Sequence, residues 1–246
     1  MAEKKQNFNP MGLAALFFPK HCMICERIIE HRLSHLCVSC ASSLYLSTYE
    51  HNRNHPMQLQ LEQQVVLEAA YAPFINIPYA AQLIRVLHAL KYMKQPFAAK
   101  VLCALASPQL STFFERHNFD ILVPVPSHFL KKLKRGYNPA EVLAREIAKE
   151  QGVALGAKLL SQPKRKATQA LNDKRQRANI QPGTFRAKVS PRQKKLHMLL
   201  IDDVCTTGAT LTACYWALKK QGVEKVSFLS LFFTPLEYEV KATLDP

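Results

Sequence analysis

Long apolar runs are missing from this chain. None of its 246 residues falls in a stretch approaching the ~20 apolar residues that cross a bilayer as a helix, so no membrane-spanning segment is expected. The apolar patch from Leu13 to Phe18 is too short for a secretory h-region, and no small-residue cleavage site follows it. A cytoplasmic protein is the expectation. Acidic residues are scarce: 18, against 33 Lys and Arg, for a formal net charge of +15. No internal repeat is present, which argues against a repeat array. Disorder is in short supply too, because 48% of the residues are hydrophobic, enough to supply a packed core. The length suits one α/β domain with room for a small extra module.

The positive charge is unevenly placed. Between Lys131 and Lys195 there are 18 Lys and Arg against 4 acids, while the rest of the chain is nearly neutral. A solvated surface mixes its signs, so a one-sided excess points to polyanions: phosphates, nucleic acid or both. The plain alternative is a solvated cationic surface. Tyr137 and Phe185 could stack bases, although two aromatics make a thin stacking platform.

Four of the seven cysteines form two knuckles, Cys22-x2-Cys25 and Cys37-x2-Cys40, separated by eleven residues. Each knuckle offers two thiolates, and two knuckles complete a tetrahedral site with Zn–S bonds of about 2.3 Å. Four protein ligands leave no open position, so such a Zn²⁺ site is structural. About 20 residues have too little core to fold without the metal. An iron–sulfur cluster and a redox CxxC are the rival readings. His21, His31 and His35 are read as surface residues or anion contacts. Cys103 and Cys214 fall on apolar helix faces and read as core. His88 reads as a packed histidine.

Along the chain, residues 1–20 read as a lead-in and residues 47–64 as a polar linker or solvated loop. Val65 to Ala72 alternates weakly, as a strand would. From Pro78 the spacing of Leu83, Leu87 and Leu90 is helical, and a second helix is expected after Pro96. Asp120 to Pro126 reads as a short buried strand ending near Pro124. Asn138-Pro139-Ala140-Glu141 reads as a capped helix start, and Gly152 as that helix's stop. Residues 160–195 read as a long basic loop or flap with short strands. His197 to Ile201 is a buried strand, Thr210 to Gln221 a helix, and Val223 to Phe233 a further strand. Alternating strands and helices imply a parallel sheet with right-handed crossovers.

The hydrophobic strand runs into Asp202-Asp203, then Thr206-Thr207-Gly208-Ala209-Thr210, then a helix. Small residues let backbone N–H groups converge on one anion. Threonine hydroxyls add donors, and the helix N-terminus adds a favourable field. The two acids cannot serve that anion, but they could accept hydrogen bonds from sugar hydroxyls, with Mg²⁺ nearby to neutralise excess charge. A junction whose acids merely cap the helix is the alternative. Cys205 sits beside the loop, where positive surroundings could lower its pKa. No base is assignable to it.

This segment resembles the PRPP-binding loop of type I phosphoribosyltransferases. Four further stretches narrow the resemblance to the ComF family, its ComFC/GntX-like branch. They are the double CxxC, Leu87-His88-Ala89-Leu90-Lys91-Tyr92, Val123-Pro124-Val125-Pro126 followed by Lys134-Arg135-Gly136-Tyr137-Asn138, and Lys166-Ala167-Thr168-Gln169 followed by Arg175 and Asn179. Together they cover roughly residues 20 to 235. Two positions depart from the family pattern, Pro139 where Gln is frequent and Cys205 where an aromatic is frequent.

The resemblance implies a type I phosphoribosyltransferase-like α/β fold, a parallel sheet with flanking helices, plus a small N-terminal zinc-binding module. The implied division is a module at 1–45, a linker and strand at 46–75, and the phosphoribosyltransferase-like domain at 76–246. It implies that Asp202 and Asp203 hold the ribose hydroxyls and carry any catalysis. Thr206, Thr207, Gly208, Ala209 and Thr210 would cradle the 5′-phosphate, and Arg135 and Gly136 would meet the diphosphate. A flap including Lys166, Thr168, Gln169 and Arg175 would close over the site. The implied cofactors are structural Zn²⁺ and Mg²⁺ with PRPP. The implied partners are PRPP, single-stranded DNA and a DNA-uptake helicase or channel at the inner membrane, in natural transformation. The implied alternative is an active transferase acting on a nitrogen acceptor. PRPP needs only a few cations, so the surplus suits a nucleic-acid backbone with strong salt dependence.

Overall fold

Alternating apolar residues at 197–205 and 225–233 face both ways, so both strands need cover on two sides, as parallel strands do. The computed structural model describes residues 21–29, 35–42, 55–75, 81–92, 96–163 and 183–234. Its main sheet is parallel throughout and has the order β1-β8-β7-β3-β4. The strands are β1 (Ala70–Tyr71), β2 (Phe74–Ile75), β3 (Ile121–Pro124), β4 (Ala154–Leu155), β7 (His197–Cys205) and β8 (Lys225–Phe233). β2 also pairs with β8, continuing the edge begun by β1. β5 (Leu160–Ser161) and β6 (Arg186–Ala187) form a separate antiparallel pair.

The pleat of β7 divides the core. Leu199 and Ile201 join the apolar cluster that holds Val86, Leu90, Leu102, Phe113, Leu143 and Ile147. Met198 and Leu200 join the opposite cluster, with Met57, Leu61, Leu211, Cys214 and Leu218. Helices α3 (Ala81–Tyr92), α4 (Phe97–His117) and α6 (Pro139–Gln151) thus cover one face. Helices α2 (Pro56–Glu62) and α7 (Ala209–Lys219) cover the other. The remaining helices are α1 (Val38–Ser42) and α5 (Phe129–Arg135). Cys103 and Cys214 are core, as their helical positions predict.

The expected flap strands are β5 and β6. The expected flap residues Lys166, Thr168, Gln169 and Arg175 lie outside the described residues, as do His31 and the Leu13–Phe18 patch. By length and composition α4 could cross a membrane, but it contributes Ala98, Leu102, Ala106, Leu110 and Phe113 to the core. It escapes a search for unbroken apolar runs because Lys100, Ser107 and Pro108 interrupt it.

Three local expectations are corrected. Residues 55–62 are not a solvated loop: α2 begins on an N-cap, His55, whose ring accepts from the Met57 N–H, and it buries Met57 and Leu61 completely. Each such side chain stabilises the fold by about 1.5–3 kcal/mol. The Gln-rich sequence hides this, because only one apolar stripe of a short helix needs cover. Asn138 does not cap α6 with its side chain. It is buried, and its Nδ2 donates to the Val125 carbonyl at 2.8 Å, tying the end of β3 to the next helix. Glu141 closes no capping box and instead pairs with Lys132 at 3.7 Å and Arg145 at 3.3 Å. The strand expected over Val65–Ala72 shortens to Ala70–Tyr71.

Candidate functional site

β7 continues past its buried run, Met198–Ile201, as far as Cys205, and this carries Asp202 and Asp203 to the carboxyl edge of the sheet. Ligands of open α/β folds bind there. The Asp203 N–H donates to Asp202 Oδ1 at 2.8 Å, so the first carboxylate folds back on its own strand. Asp203 pairs with Lys91 Nζ at 3.2 Å, with both side chains largely buried. Burial, and then the adjacent Asp203 charge, holds the Asp202 carboxyl well above the ordinary carboxylate range, while Lys91 pulls the other way. Lys91 is the site residue that sequence reasoning left without a role. Its signal was a single cation at the end of an apolar helix, in the quoted Leu90-Lys91-Tyr92.

The loop Thr206–Thr210 follows directly. Gly208 sits at φ +79 and serves as N-cap of α7. Asp202 and the residues from Val204 to Leu211 line a small hollow of about 30 Å³, while Asp203 faces Lys91 instead. The hollow can receive the face of one phosphate-sized anion, not a whole nucleotide. The structure therefore brings Asp202 together with Thr206, Thr207, Gly208, Ala209 and Thr210 around this hollow, with Asp203 beside them on the strand but turned to Lys91.

Cys205 is buried, and burial followed by the Asp202 charge pushes its thiol up to about 12, with the Gly208 N–H acting the other way. This reverses the lowered pKa that a positive environment would bring: burial dominates, and the Asp202 charge adds to it. The thiol stays protonated and inert.

Arg135 and Gly136 end α5. Gly136 takes the left-handed φ of +84 that closes the helix, and its N–H donates to the Lys132 carbonyl. The Arg135 guanidinium lies 5.0 Å from the centre of the Tyr92 ring. The Tyr137 hydroxyl donates to the Leu90 carbonyl. These contacts fasten the Arg135-Gly136-Tyr137 turn to the end of α3, beside Lys91. Tyr137 is half-buried and hydrogen-bonded, and Phe185 is buried in the core, so neither is presented for base stacking. The exposed aromatic here is Tyr92, 59% exposed. His88, expected to be packed, is exposed and lies 4.6 Å from the Tyr92 ring.

The described part of the cation excess divides between the two ends of the sheet. Lys131, Lys132, Lys134 and Arg135 belong to α5, just beyond the carboxyl end of β3. Arg145, Lys158 and Lys188 line a cleft of about 670 Å³ that includes Ile121, the first residue of β3.

At the other candidate site, the four sulfurs of Cys22, Cys25, Cys37 and Cys40 lie within 4.8 Å of one another. Cys25 and Cys37 sulfurs are 3.7 Å apart, against about 3.8 Å for the edge of a tetrahedron with 2.3 Å Zn–S bonds. The Cys37 N–H points at the Cys22 sulfur and the Cys40 N–H at the Cys37 sulfur, each at 3.4 Å. Burial alone would raise the Cys22 thiol, but N–H donors of Cys25 and Cys37 bring it down to about 6. Burial and the neighbouring sulfurs push Cys40 up to about 12. All four cannot be thiolates together without a cation among them, and the group could hold one. The segment is anchored to the body. Arg85 donates to the Ile24 carbonyl at 2.7 Å, His35 packs in a tilted arrangement on Phe97 with ring centres 4.8 Å apart, and Cys22, Ile24, Leu36 and Cys40 enter the main apolar cluster.

Residues 116–245 match the model of the phosphoribosyl transferase domain, and the chain belongs to that family. Among individual proteins, Competence protein F of Haemophilus influenzae is 30% identical over 114 residues, 46% of this chain. That match spans about half of Competence protein F, 49% of its length. The DNA utilization protein YhgH of Salmonella typhi is 25% identical over 209 residues, covering 83% of this chain and 86% of that protein. YhgH of Escherichia coli K12 is 26% identical over 153 residues, covering 60% and 66%. With the fold and the cysteine group, these relatives make the chain a ComF-family, phosphoribosyltransferase-like protein at modest identity.

Proposed function

We propose that the carboxyl-end site binds PRPP, that the cysteine group holds a structural Zn²⁺, and that the chain handles single-stranded DNA in DNA uptake and use. The observation that carries the first reading is the succession of Asp202, Asp203 and the Thr206–Thr210 loop, with Lys91 against the acids. The loop's N–H groups and hydroxyls would take the 5′-phosphate. Asp202 and Asp203 would accept from the ribose hydroxyls. Arg135, Gly136 and the flap residues Lys166, Thr168, Gln169 and Arg175 would face the diphosphate, whose charge Mg²⁺ would offset. Zn²⁺ suits four sulfur donors at tetrahedral spacing. The names of the relatives, competence and DNA utilization, and the cations of α5 support the DNA reading. So does Tyr92, exposed beside Arg135. A cytoplasmic place, at most peripheral to the inner membrane, fits this role.

The test is calorimetric titration of PRPP, with and without Mg²⁺, on wild type and on Asp202→Asn/Asp203→Asn. Each lost hydrogen bond to a charged group is worth about 1.5–3 kcal/mol, so the double variant should bind at least ~100-fold more weakly. Equal affinity would remove the acids from the site. Binding of an oligo-dT strand, followed by anisotropy over a salt series, should weaken steeply with salt. A flat salt series would count against the DNA reading. Transferase activity is the rival to pure binding: pyrophosphate release that depends on a nitrogen acceptor would establish turnover.

A further inference from the structure

Loop 206–210 is held from outside by a segment some 145 residues earlier in the chain. Gln60 Nε2 donates to the Thr206 carbonyl, and Gln64 Nε2 donates to the Thr207 carbonyl at 2.9 Å. Gln64 Oε1 in turn accepts from the Thr212 hydroxyl at 2.9 Å, so this one amide bridges the loop and the first turn of α7. Just below, the Tyr215 hydroxyl donates to the Val66 carbonyl at 2.7 Å. Leu61 packs so close to Gly208 that a Cβ there would lie 2.2 Å from Leu61 Cδ2.

The two carbonyls matter because of helix geometry. In an α-helix the N–H of residue i donates to the carbonyl of residue i−4. Thr206 and Thr207 are therefore the acceptors that the Thr210 and Leu211 N–H groups would take if α7 were extended back by two residues. Instead α7 begins at Ala209, and its first ladder bond runs from Thr212 to Gly208 at 2.9 Å. The carbonyls are satisfied by glutamine amides. Among the described residues no partner appears for the Thr210 and Leu211 N–H groups, helix-start donors beside the hollow, while the Ala209 N–H already donates to the Thr207 hydroxyl at 3.3 Å. A loop without these side-chain donors has an alternative, which is to turn its own carbonyls toward its own N–H groups and lose the nest.

We infer that Gln60 and Gln64 are positioning residues that keep the anion loop open, by occupying the Thr206 and Thr207 carbonyls that would otherwise compete for its N–H donors. The inference rests on reading this loop as an anion site, but not on PRPP being the anion. It also gives α2, in a stretch that looks like linker, a part in ligand binding.

The experiment uses the full chain with Gln60→Met, Gln64→Met and the double variant, which keep side-chain length and neutrality but remove the donor. Gln63→Met, exposed on the same segment, is the control. Inorganic phosphate and PRPP are titrated separately, and amide hydrogen exchange is read in the unliganded protein. Losing a neutral hydrogen bond worth about 1 kcal/mol predicts about fivefold weaker phosphate binding in each single variant and about 25-fold in the double. Gln63→Met should not change it. Amides of Thr210 and Leu211 should exchange freely in wild type and become protected in the double variant. Unchanged phosphate affinity and exchange in a folded double variant would overturn the inference, as would wild type that fails to bind phosphate at all. Binding of phosphate but not PRPP, with the same fivefold steps, would retain the clamp and overturn the PRPP reading instead.

Discussion

The loop after β7 and the cysteine knuckles near Cys22 both gather backbone N–H groups around a future charge, but they differ in what holds them in shape. The loop is braced by protein on every side: by Gln60 and Gln64, by Leu61 under Gly208, and by Lys91 across the acid pair. The knuckles have four sulfurs whose protonation preferences conflict, Cys22 low and Cys40 high. The lesson is that the shape of one site comes from the surrounding fold, whereas the shape of the other would, under the proposed function, depend on the ion it holds.

The largest expected effect tests that contrast directly. Stripping metal with a chelator should make residues 21–42 protease-sensitive and lower Tm by roughly 10 °C or more, because binding free energy at such sites is folding free energy. PRPP affinity should change less than about threefold. A collapse of both would mean that the loop depends on the ion too.

Next in size is Gly208→Ala. A left-handed φ and a Cβ 2.2 Å from Leu61 combine about 1–2 kcal/mol of backbone cost with about 1–3 kcal/mol of overpacking. At roughly 2–4 °C per kcal/mol for a chain of this size, Tm should fall by several degrees in thermal unfolding. No change would show that α2 does not press on the loop.

The smallest effect has the opposite sign. Asp202 has a folded pKa raised by burial and by Asp203. Its contribution is therefore most favourable below the unfolded carboxylate value of about 4, and is lost as pH rises through the folded value. Asp202→Asn should flatten the decline in unliganded stability above pH 4 and raise Tm by a few degrees at pH 7.5, while weakening PRPP binding. A variant less stable than wild type at that pH would show that the acid pair is not strained.

What could be read from the residues alone follows a physical division. β7, α7, the Asp-Asp step and the cysteine knuckles are specified by contiguous residues, so pattern and spacing sufficed. α2 was missed because Gln and Glu alternate with its apolar residues and its buried stripe, Met57, Gln58 and Leu61, is short. The bond from Asn138 to Val125 was missed because a buried carbonyl thirteen residues away outcompeted the local cap. Lys91 lacked a role because its partner is over a hundred residues distant. Cys205 was weighed with the wrong sign because its burial at the end of β7, the main cause of its raised pKa, cannot be read from the charges along the chain.

β8 pairs with β1, β2 and β7, and among the described residues it comes last in chain order. Until residue 233 has emerged, β1 and β2 lack the one strand that pairs with them among the described residues. Contacts of such long sequence separation form slowly, and exposed strand edges invite aggregation meanwhile. A ribosome-stalled chain ending within α7 should therefore be held by chaperones. Truncation just before β8 should be far more damaging than loss of an equal length from residues 1–20.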